Sequence, residues 1–256
     1  MYALGWRDSS KAVTREVSEQ IHSRNRLALK LFDGIAGNYH GPARAFSLWQ
    51  YDRWHSILVS RLGDLTGKRV LDMSTGTGLV ACRIARRWST QVVAVDISHP
   101  MLVKSLARAK GEELRGHISL IQGQAEAASF ADETFDAVVF TYLLRYVEDV
   151  PATLVELARL LKPGGMMAAL EFGVPSAPWL RVPWLAYTHL LIPCAMYPIS
   201  SGWRRVGAFL GPSIRRFYNQ YPLERQVDLW KAAGLKEVGF RTPSLGGAVV
   251  MWGYKS

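Results

Sequence analysis

The sequence predicts an α/β fold: a seven-stranded, mostly parallel sheet with an antiparallel last strand and helices on both faces. Two observations predict this architecture. From Lys68 onward, apolar runs of strand length alternate with stretches of helix length, which is typical of a parallel sheet covered by helices. Near the carboxyl end, Gly246 and Gly247 separate the last two strands as a hairpin would.

The 256 residues are expected to form a single domain with four parts. Residues 1–66 are an N-terminal helical cover, and residues 67–172 are a cofactor-binding core. Residues 173–222 are an inserted lid rich in aromatic side chains, and residues 223–256 end the chain with a helix and a hairpin. With 49% hydrophobic residues, the chain has enough apolar material for one core.

Each element has a local signal. In the cover, apolar residues recur at helical spacing from Val17 to Phe32, and a second helix is expected over Leu48–Leu62. Short apolar runs in the core predict five strands: Arg69–Met73, Gln91–Asp96, His117–Ile121, Phe135–Phe140 and Met166–Glu171.

Helices are expected between these strands and after the lid. The core helices are predicted at Leu79–Trp88, Pro100–Lys110 and Pro151–Leu161, and the last of them should stop at Pro163-Gly164-Gly165. A helix over Leu223–Ala233 then ends at Gly234, and the closing strands are expected at Lys236–Arg241 and Ala248–Tyr254.

The net charge of +10 indicates either an anionic partner, nucleic acid or membrane, or simply a basic soluble protein. Between Glu171 and Glu224 there is no acidic residue, and five arginines lie among many aromatic residues. The motifs of dedicated RNA or DNA readers are absent, so no nucleic acid is expected. We expect this segment to be a lid that covers a lipophilic small molecule. The lid is also expected to make peripheral contact with an anionic membrane.

The run Val182–Trp203 is uncharged and long enough to be considered as a membrane span. Its three prolines argue against a spanning helix, because lipid cannot replace the backbone hydrogen bonds that they remove. No signal peptide is recognisable, and Cys82 and Cys194 have no metal-ligand spacing, so we expect reduced thiols, no metal site and a cytoplasmic location. The oligomeric state stays open, a homodimer included.

A glycine loop, Asp72-Met73-Ser74-Thr75-Gly76-Thr77-Gly78, follows the first core strand and opens a helix. Glycines let a ligand approach the backbone, and the helix start offers free N–H groups. Asp96 ends the next strand, where a carboxylate can accept hydrogen bonds from ribose hydroxyls.

Two ligands are compatible with this loop. Gly76-x-Gly78-x-x-Ala81 fits the dinucleotide fingerprint, so an NAD-dependent oxidoreductase is one alternative. Asp72 argues against it, because a carboxylate there would repel a pyrophosphate. The same carboxylate could help to hold the ammonium of a methionine moiety, directly or through water. A chance glycine turn is the third interpretation.

Further motifs occur in order along nearly the whole chain: Leu31-Phe32-Asp33-x-Ile35-Ala36-x-x-Tyr39; Phe46-Ser47 with Gln50, Asp52-Arg53 and Trp54; Ala94-Val95-Asp96-Ile97-Ser98 with Met101; Phe135-Asp136-Ala137-Val138; Leu144-Arg145-x-Val147; Leu161-Lys162-Pro163-Gly164-Gly165; Leu170-Glu171-Phe172; and Gly253-Tyr254-Lys255. With the glycine loop, they resemble class I S-adenosylmethionine-dependent methyltransferases of Rossmann-like fold. Within that class, the chain is most similar to the ubiquinone/menaquinone biosynthesis C-methyltransferases.

The resemblance implies S-adenosylmethionine as cofactor and C-methylation of a lipophilic quinol in quinone biosynthesis. It places cofactor contacts on Thr77, Asp96, Gln124, Ala125 and Thr141. The loop and the second strand end add the other predicted cofactor-binding residues: Asp72, Ser74, Thr75, Gly76, Gly78, Ile97 and Met101.

The resemblance also places the removal of the quinol proton around Arg145. Arginine is too basic to be a general base, so we hypothesise that Arg145 stabilises a phenolate or orients a water, while Tyr39 closes the site. The alternative is that Arg145 pairs with a carboxylate such as Glu148 or Asp149. His40 is a third predicted catalytic residue, and His189 and Tyr142 are further candidate bases.

The chain departs from the family pattern at several positions. Ser74 stands where the family usually has Gly or Ala, and Gln124 where it often has Asn or Asp. On the substrate side, His40, Leu143 and Tyr146 replace a usual Asp, Gly and Asn. These larger changes leave a phospholipid amine or a secondary metabolite open as the methyl acceptor. A non-catalytic protein that retains the cofactor pocket is the remaining alternative.

Overall fold

The computed structural model describes residues 2–3 and 23–256. Its centre is one sheet with the strands β1 (Tyr2–Ala3), β2 (Arg69–Met73), β3 (Gln91–Asp96), β4 (Ile118–Gln122), β5 (Phe135–Thr141), β6 (Leu161–Phe172), β7 (Leu235–Arg241) and β8 (Ala248–Lys255). Their order is β1-β4-β3-β2-β5-β6-β8-β7. Strands β2 to β6 are parallel, and β8 runs antiparallel to β6 and β7.

This topology confirms the predicted sheet with its antiparallel last strand. The eighth strand was not predicted: β1 pairs antiparallel with β4 at the sheet edge. The connection between β7 and β8 is also longer than two glycines, because a short turn at Pro243–Gly246 precedes Gly247.

Ten α-helices of five or more residues are found in the described part of the chain: α1 (Ser23–Phe32), α2 (His40–Phe46), α3 (Tyr51–Ser60), α4 (Leu79–Trp88), α5 (His99–Gly111), α6 (Val150–Arg159), α7 (Pro178–Ala186), α8 (Ile192–Met196), α9 (Ser201–Gln220) and α10 (Leu223–Ala232). A π-helical turn, Tyr187–Leu191, joins α7 to α8, and single 3₁₀ turns lie at Ala36–Asn38 and Ala125–Ala127.

Several helix starts follow from capping residues. The Ser98 hydroxyl accepts a hydrogen bond from the Met101 amide at the start of α5, and Asp149 accepts one from the Ala152 amide at the start of α6. Both helices have proline in their first turn, where its missing N–H costs nothing. Ser200 caps α9 in the same way.

Three predicted boundaries are wrong. The helix expected over Leu48–Leu62 begins only at Tyr51, because Leu48 and Trp49 adopt left-handed φ angles of 52° and 58°, and the preceding α2 was not predicted. Helix α6 ends at Arg159 rather than Leu161. Pro163-Gly164-Gly165 lies inside β6, where the register with β5 shifts between Phe135 and Ala137.

The first predicted helix is found as α1 from Ser23 to Phe32. Val17 and Ile21, which began its apolar pattern, lie outside the described residues.

Side chains alternate between two cores on opposite faces of the sheet. On β5, Val138 and Phe140 join the core beneath α6 and α10, whereas Ala137 and Val139 join the core beneath α3 and α4. This alternation is the period of a strand buried on both faces.

A third cluster lies above the carboxyl ends of the strands. There Leu31 and Ile35 of the cover meet Met196 and Trp203 of the lid. The cover and the lid therefore pack together over the edge of the sheet where a parallel α/β fold binds its ligand. None of the described helices is long and apolar enough to cross a membrane.

Candidate active site

A cleft opens at the carboxyl ends of β2, β3 and β5, beneath the cover. It contains about 890 Å³ of space free of protein atoms, part of it open to solvent, which suits a small-molecule site. Its wall includes eleven of the predicted site residues: Tyr39, Ser74, Thr75, Gly76, Thr77, Asp96, Ile97, Met101, Gln124, Ala125 and Thr141. Four others, Asp72, Gly78, His40 and Arg145, lie outside this wall.

The glycine loop is fixed by backbone contacts. The Thr75 amide donates to the Val95 carbonyl oxygen at 2.9 Å, and the Gly76 amide donates to Asp96 Oδ2 at 2.7 Å. Gly78 acts from behind the loop: its φ is 78°, and a Cβ there would lie 2.3 Å from Ser105 Oγ. Only glycine therefore lets α4 start this close to α5.

Asp96 is the central carboxylate of the cleft. Besides the Gly76 amide on Oδ2, its Oδ1 accepts the Ser98 amide at 2.9 Å. Burial raises the pKa of Asp96 to about 6, against these hydrogen bonds, which lower it. The carboxylate is thus held in one orientation at the wall, where its remaining lone pairs can accept hydroxyl donors.

Asp72 lies below the loop and is fully buried. Its Oδ2 accepts the Thr75 hydroxyl at 2.7 Å, and its Oδ1 has no hydrogen-bond partner among the described residues. Burial raises the pKa of Asp72 to about 7. Asp72 therefore orients Thr75, and its predicted help in holding a ligand ammonium, directly or through water, stays a prediction.

The cover closes the cleft through a polar residue that the sequence analysis missed. Asn25 of α1 is buried, and its Nδ2 donates to Glu126 Oε1 at 3.1 Å and lies 3.4 Å from Gln124 Oε1. Asn25, Ala28 and Phe32 all line the cleft. Their spacing of three and four residues marks one helix face, and a polar residue on that apolar face was the available signal.

Tyr39 lies in the wall, as predicted, and stacks on Trp203 of the lid with 6.1 Å between ring centroids. Burial raises the pKa of its hydroxyl well above the usual range, so the phenol stays protonated. This position suits the predicted role of closing the site, which stays a prediction.

His40 lies behind Thr77 rather than in the wall. Its Nε2 accepts the Thr77 hydroxyl at 2.8 Å and also an Arg108 Nη2 donor. Burial and the Arg108 charge lower the pKa of His40 to about 4. Because this ring nitrogen is already occupied, His40 is placed to fix Thr77, and its predicted catalytic role stays a prediction.

Arg145 is buried behind the wall. Its Nη1 donates to Ser213 Oγ at 3.0 Å, and its Nε lies 3.7 Å from Glu171 Oε2. The predicted alternative was right in kind, since Arg145 pairs with a carboxylate, but wrong in the partner, which is Glu171 and not Glu148 or Asp149. Glu171 Oε1 also accepts the Leu144 amide at 2.9 Å.

The Arg145–Glu171 pair therefore fixes the segment that carries Leu143 and Tyr146, both of which line the cleft. We infer that Arg145 positions this part of the wall. A direct catalytic role for Arg145 stays a prediction.

The wall fits a nucleoside joined to an amino acid. Asp96 offers acceptors for ribose hydroxyls, and Ile97, Met101 and Ala125 form an apolar surface beside it that suits a purine. The loop from Ser74 to Thr77 leads into the start of α4, where the helix dipole favours an anionic group such as a carboxylate. These positions suit the ribose, the purine and the amino-acid end of S-adenosylmethionine.

Ligand binding should depend on pH through the two buried carboxylates. Their pKa values of about 6 (Asp96) and about 7 (Asp72) lie above the ordinary value, so both take up protons as pH falls below 7. Ribose hydroxyls bind the ionised form of Asp96 better. We expect the affinity for S-adenosylhomocysteine to fall between pH 8 and pH 5, by as much as ~10-fold per unit below the pKa. Calorimetry at several pH values measures this, and a flat profile would contradict it.

Comparison with known proteins agrees with this geometry. The model of the ubiE/COQ5 methyltransferase family matches residues 20–255. The chain is 33% identical over 228 residues to the ubiquinone/menaquinone biosynthesis C-methyltransferase UbiE of Desulfotalea psychrophila, covering 88% of this chain and 89% of that one. It is 30% identical to the demethylmenaquinone methyltransferase of Symbiobacterium thermophilum, covering 91% and 94% of the two chains.

Solved structures show the same fold. The geranyl diphosphate C-methyltransferase of Streptomyces coelicolor A3(2), bound to S-adenosyl-L-homocysteine, superposes with a TM-score of 0.57 at 15% identity and covers 80% of this chain and 79% of its own. The matched sequence family identifies S-adenosylmethionine as the cofactor and excludes the NAD-dependent alternative. The chain belongs to the ubiE/COQ5 methyltransferase family and is an S-adenosylmethionine-dependent methyltransferase.

Proposed function

We propose that this enzyme methylates a ring carbon of a lipophilic quinol in menaquinone- or ubiquinone-type biosynthesis. The names of its relatives support this, and one structural observation carries it. Next to the donor residues, the cleft is lined by the aromatic side chains of Phe32, Tyr39, Tyr51, Tyr142 and Tyr146. Such a chamber suits a flat, apolar ring, and Asp96, the one carboxylate among the described lining residues, belongs to the donor side.

S-adenosylmethionine would supply the methyl group of its sulfonium. The methyl group passes to the acceptor by in-line displacement, with the thioether as the leaving group. The chain has to hold the acceptor ring in line with this group and exclude water. Asp96 and the glycine loop fix the donor end, and Tyr39 and Trp203 close the aromatic end. The Arg145–Glu171 pair keeps Leu143 and Tyr146 in the wall, where they shape the acceptor side.

A labelled-methyl experiment tests this function. The protein is incubated with methyl-labelled S-adenosylmethionine and a chemically reduced total membrane lipid extract, and the products are analysed by mass spectrometry. We expect the label in a quinone that is heavier than its precursor by one methylene group. Label in a phospholipid headgroup or another metabolite would favour the alternative acceptor class, which the changes at Leu143 and Tyr146 leave open. No labelled product would contradict the function.

We also propose that the lid rests on an anionic membrane. Five apolar side chains of the lid are between 57% and 72% exposed: Trp179 and Val182 of α7, Leu190 and Leu191 of the π-helical turn, and Tyr197, which follows α8. We call them the lid surface. Exposed arginines accompany it, and Arg204 lies over the Tyr197 ring at 3.8 Å. Apolar side chains among cations, with no acidic residue between Glu171 and Glu224, complement an anionic bilayer.

Flotation with lipid vesicles measures this contact. Changing Trp179, Leu190 and Leu191 together to serine should move most of the protein out of the floating fraction when the vesicles contain anionic lipid. The matched control changes Val103, Val155 and Phe240, which are 45–53% exposed elsewhere, to serine and should float like the wild type. Equal flotation of both triple variants would rule the lid surface out.

A further inference from the structure

The aromatic chamber contains one histidine, His55, that belongs neither to the predicted site residues nor to the donor-binding residues. His55 of α3 is 2% exposed, yet its ring lines the cleft. Its Nδ1 lies 2.7 Å from the carbonyl oxygen of Tyr51, one turn earlier. Because a carbonyl can only accept, Nδ1 carries the proton and Nε2 carries a lone pair. No described residue forms a hydrogen bond with Nε2.

The neighbour of His55 on the sheet side is Tyr142, whose ring lies 5.9 Å away, edge to face. The Tyr142 hydroxyl is buried and has no hydrogen-bond partner among the described residues. Buried hydroxyls are normally paired, so an unpaired one on a residue that lines a cleft is available to donate to a ligand group. Burial raises the pKa of this phenol, which therefore stays a donor.

The backbone conformation of Tyr142 also indicates that this side chain has a functional position. Tyr142 adopts a left-handed φ of 56°, which is strained for an aromatic residue, and its ring stacks on Phe172 at 4.4 Å. Strain of this kind persists where the surrounding structure holds a side chain in one functional place. The Tyr142 amide is tied to the Leu170 carbonyl oxygen at 2.8 Å, so the strained residue is anchored at the end of β5.

We propose that His55 and Tyr142 form a hydroxyl-recognition subsite for the methyl acceptor. His55 Nε2 accepts a hydrogen bond from a phenolic hydroxyl, and the Tyr142 hydroxyl donates one to the same oxygen. A hydroxyl offers both the donor and the acceptor that this pair requires. A quinone carbonyl or an ether has no hydrogen for Nε2 and leaves it unpaired, so the subsite selects a reduced ring with a free hydroxyl over the quinone or an O-methyl ether.

The electrostatics of His55 agree with this role. Burial lowers its pKa to about 4, with the Tyr51 carbonyl and Asp52 acting against the shift and Arg83 and His40 adding to it. The imidazole is therefore neutral near pH 7 and keeps its lone pair. A hydrogen bond from the phenol to Nε2 moves electron density into the ring, which makes the ring carbon a better nucleophile for the methyl group. The inference thus rests on the proposed function, but its binding test does not require turnover.

The binding test uses naphthol and its methyl ether, methoxynaphthalene, as probes of the protein saturated with S-adenosylhomocysteine. The wild type should bind naphthol more tightly, by about 10-fold or more, since the ether leaves Nε2 unpaired. His55→Phe and Tyr142→Phe should each bring this ratio close to one. His55→Gln, which can place an amide oxygen near Nε2, should keep part of it.

The control is His189→Phe, because His189 is a lid histidine whose Nδ1 contacts the Thr188 hydroxyl and whose ring does not line the cleft. Its probe ratio should equal that of the wild type. Unchanged affinity for S-adenosylhomocysteine shows that a variant is folded. If His55→Phe unfolds, Tyr142→Phe still tests the subsite, because it removes only one oxygen atom.

A probe ratio that survives both phenylalanine substitutions would overturn the inference. A ratio that collapses as expected, in a protein that methylates no quinol, would support the hydroxyl subsite and count against the quinol function alone. The two failures are therefore distinguishable.

Discussion

Replacing Asp96 with asparagine is expected to weaken the binding of S-adenosylhomocysteine by roughly 100-fold or more while the protein stays folded. The carboxylate accepts the Gly76 and Ser98 amides, one on each oxygen. Asparagine would turn an N–H group towards one of these donors and would lose the charge that binds ribose hydroxyls. Hydrogen bonds to charged groups contribute about 1.5–3 kcal/mol each, and each 1.4 kcal/mol is about tenfold in affinity.

Calorimetry measures this loss, with thermal unfolding as the check on folding. Asp228→Asn is the matched control, because Asp228 is an exposed carboxylate on α10 that does not line the cleft. It should bind like the wild type. If Asp96→Asn kept wild-type affinity, the assignment of the ribose to Asp96 would be wrong.

The second large effect concerns stability. Changing Arg145 to methionine leaves the Glu171 carboxylate buried without its cation. Breaking a buried ion pair on one side costs about 3–5 kcal/mol, and we expect a loss of this size in the free energy of unfolding. Denaturant titration followed by circular dichroism measures it.

The pH dependence of this loss follows from Glu171. Burial already raises its pKa, and the Arg145 charge opposes that shift, so removing Arg145 raises the pKa further. A folded-state pKa above the unfolded value means that stability is lost as pH rises through it. Arg145→Met should therefore be less stable at pH 8 than at pH 6, relative to the wild type.

The double variant Arg145→Met/Glu171→Gln separates positioning from catalysis. It removes the unpaired charge and should recover much of the lost stability. If Arg145→Met were as stable as the wild type at both pH values and yet inactive, this would support the role in proton removal that the family resemblance implies for Arg145.

The core of the fold was predictable because its signals are local. Strand Arg69–Met73 and its following glycine loop are adjacent in sequence, and parallel pairing brings Asp96 to the same sheet edge. By contrast, the left-handed Leu48 and Trp49 contradict local preference. Both side chains are exposed, and their amides donate to the carbonyl oxygens of Ala45 and Arg44 at the end of α2, a helix that was not predicted. Pro163-Gly164-Gly165 lies in an irregularity of β6 between Leu161 and Met166, the residues that pair with β5, and short-range patterns do not reveal this pairing.

Site contacts were predictable where both residues belong to one segment of the sequence. Contacts between two segments that are distant in sequence were not. Glu148 and Asp149 were proposed for Arg145 because they are close in sequence, whereas the true partner lies on the neighbouring strand β6. His55 was missed for the same reason: its contact with Tyr142 joins α3 to the end of β5. Its spacing of four residues from Tyr51 was the one sequence signal that both rings share a helix face.

The proposed methyl transfer requires that the donor lie across the ends of β2 and β3. A crystal structure of the protein with S-adenosylhomocysteine tests this most directly. We predict the ribose hydroxyls on Asp96, the purine against Ile97 and Ala125, and the amino-acid end over the loop that begins at Ser74. An empty cleft, or a product bound with its sugar away from Asp96, would contradict the proposed site.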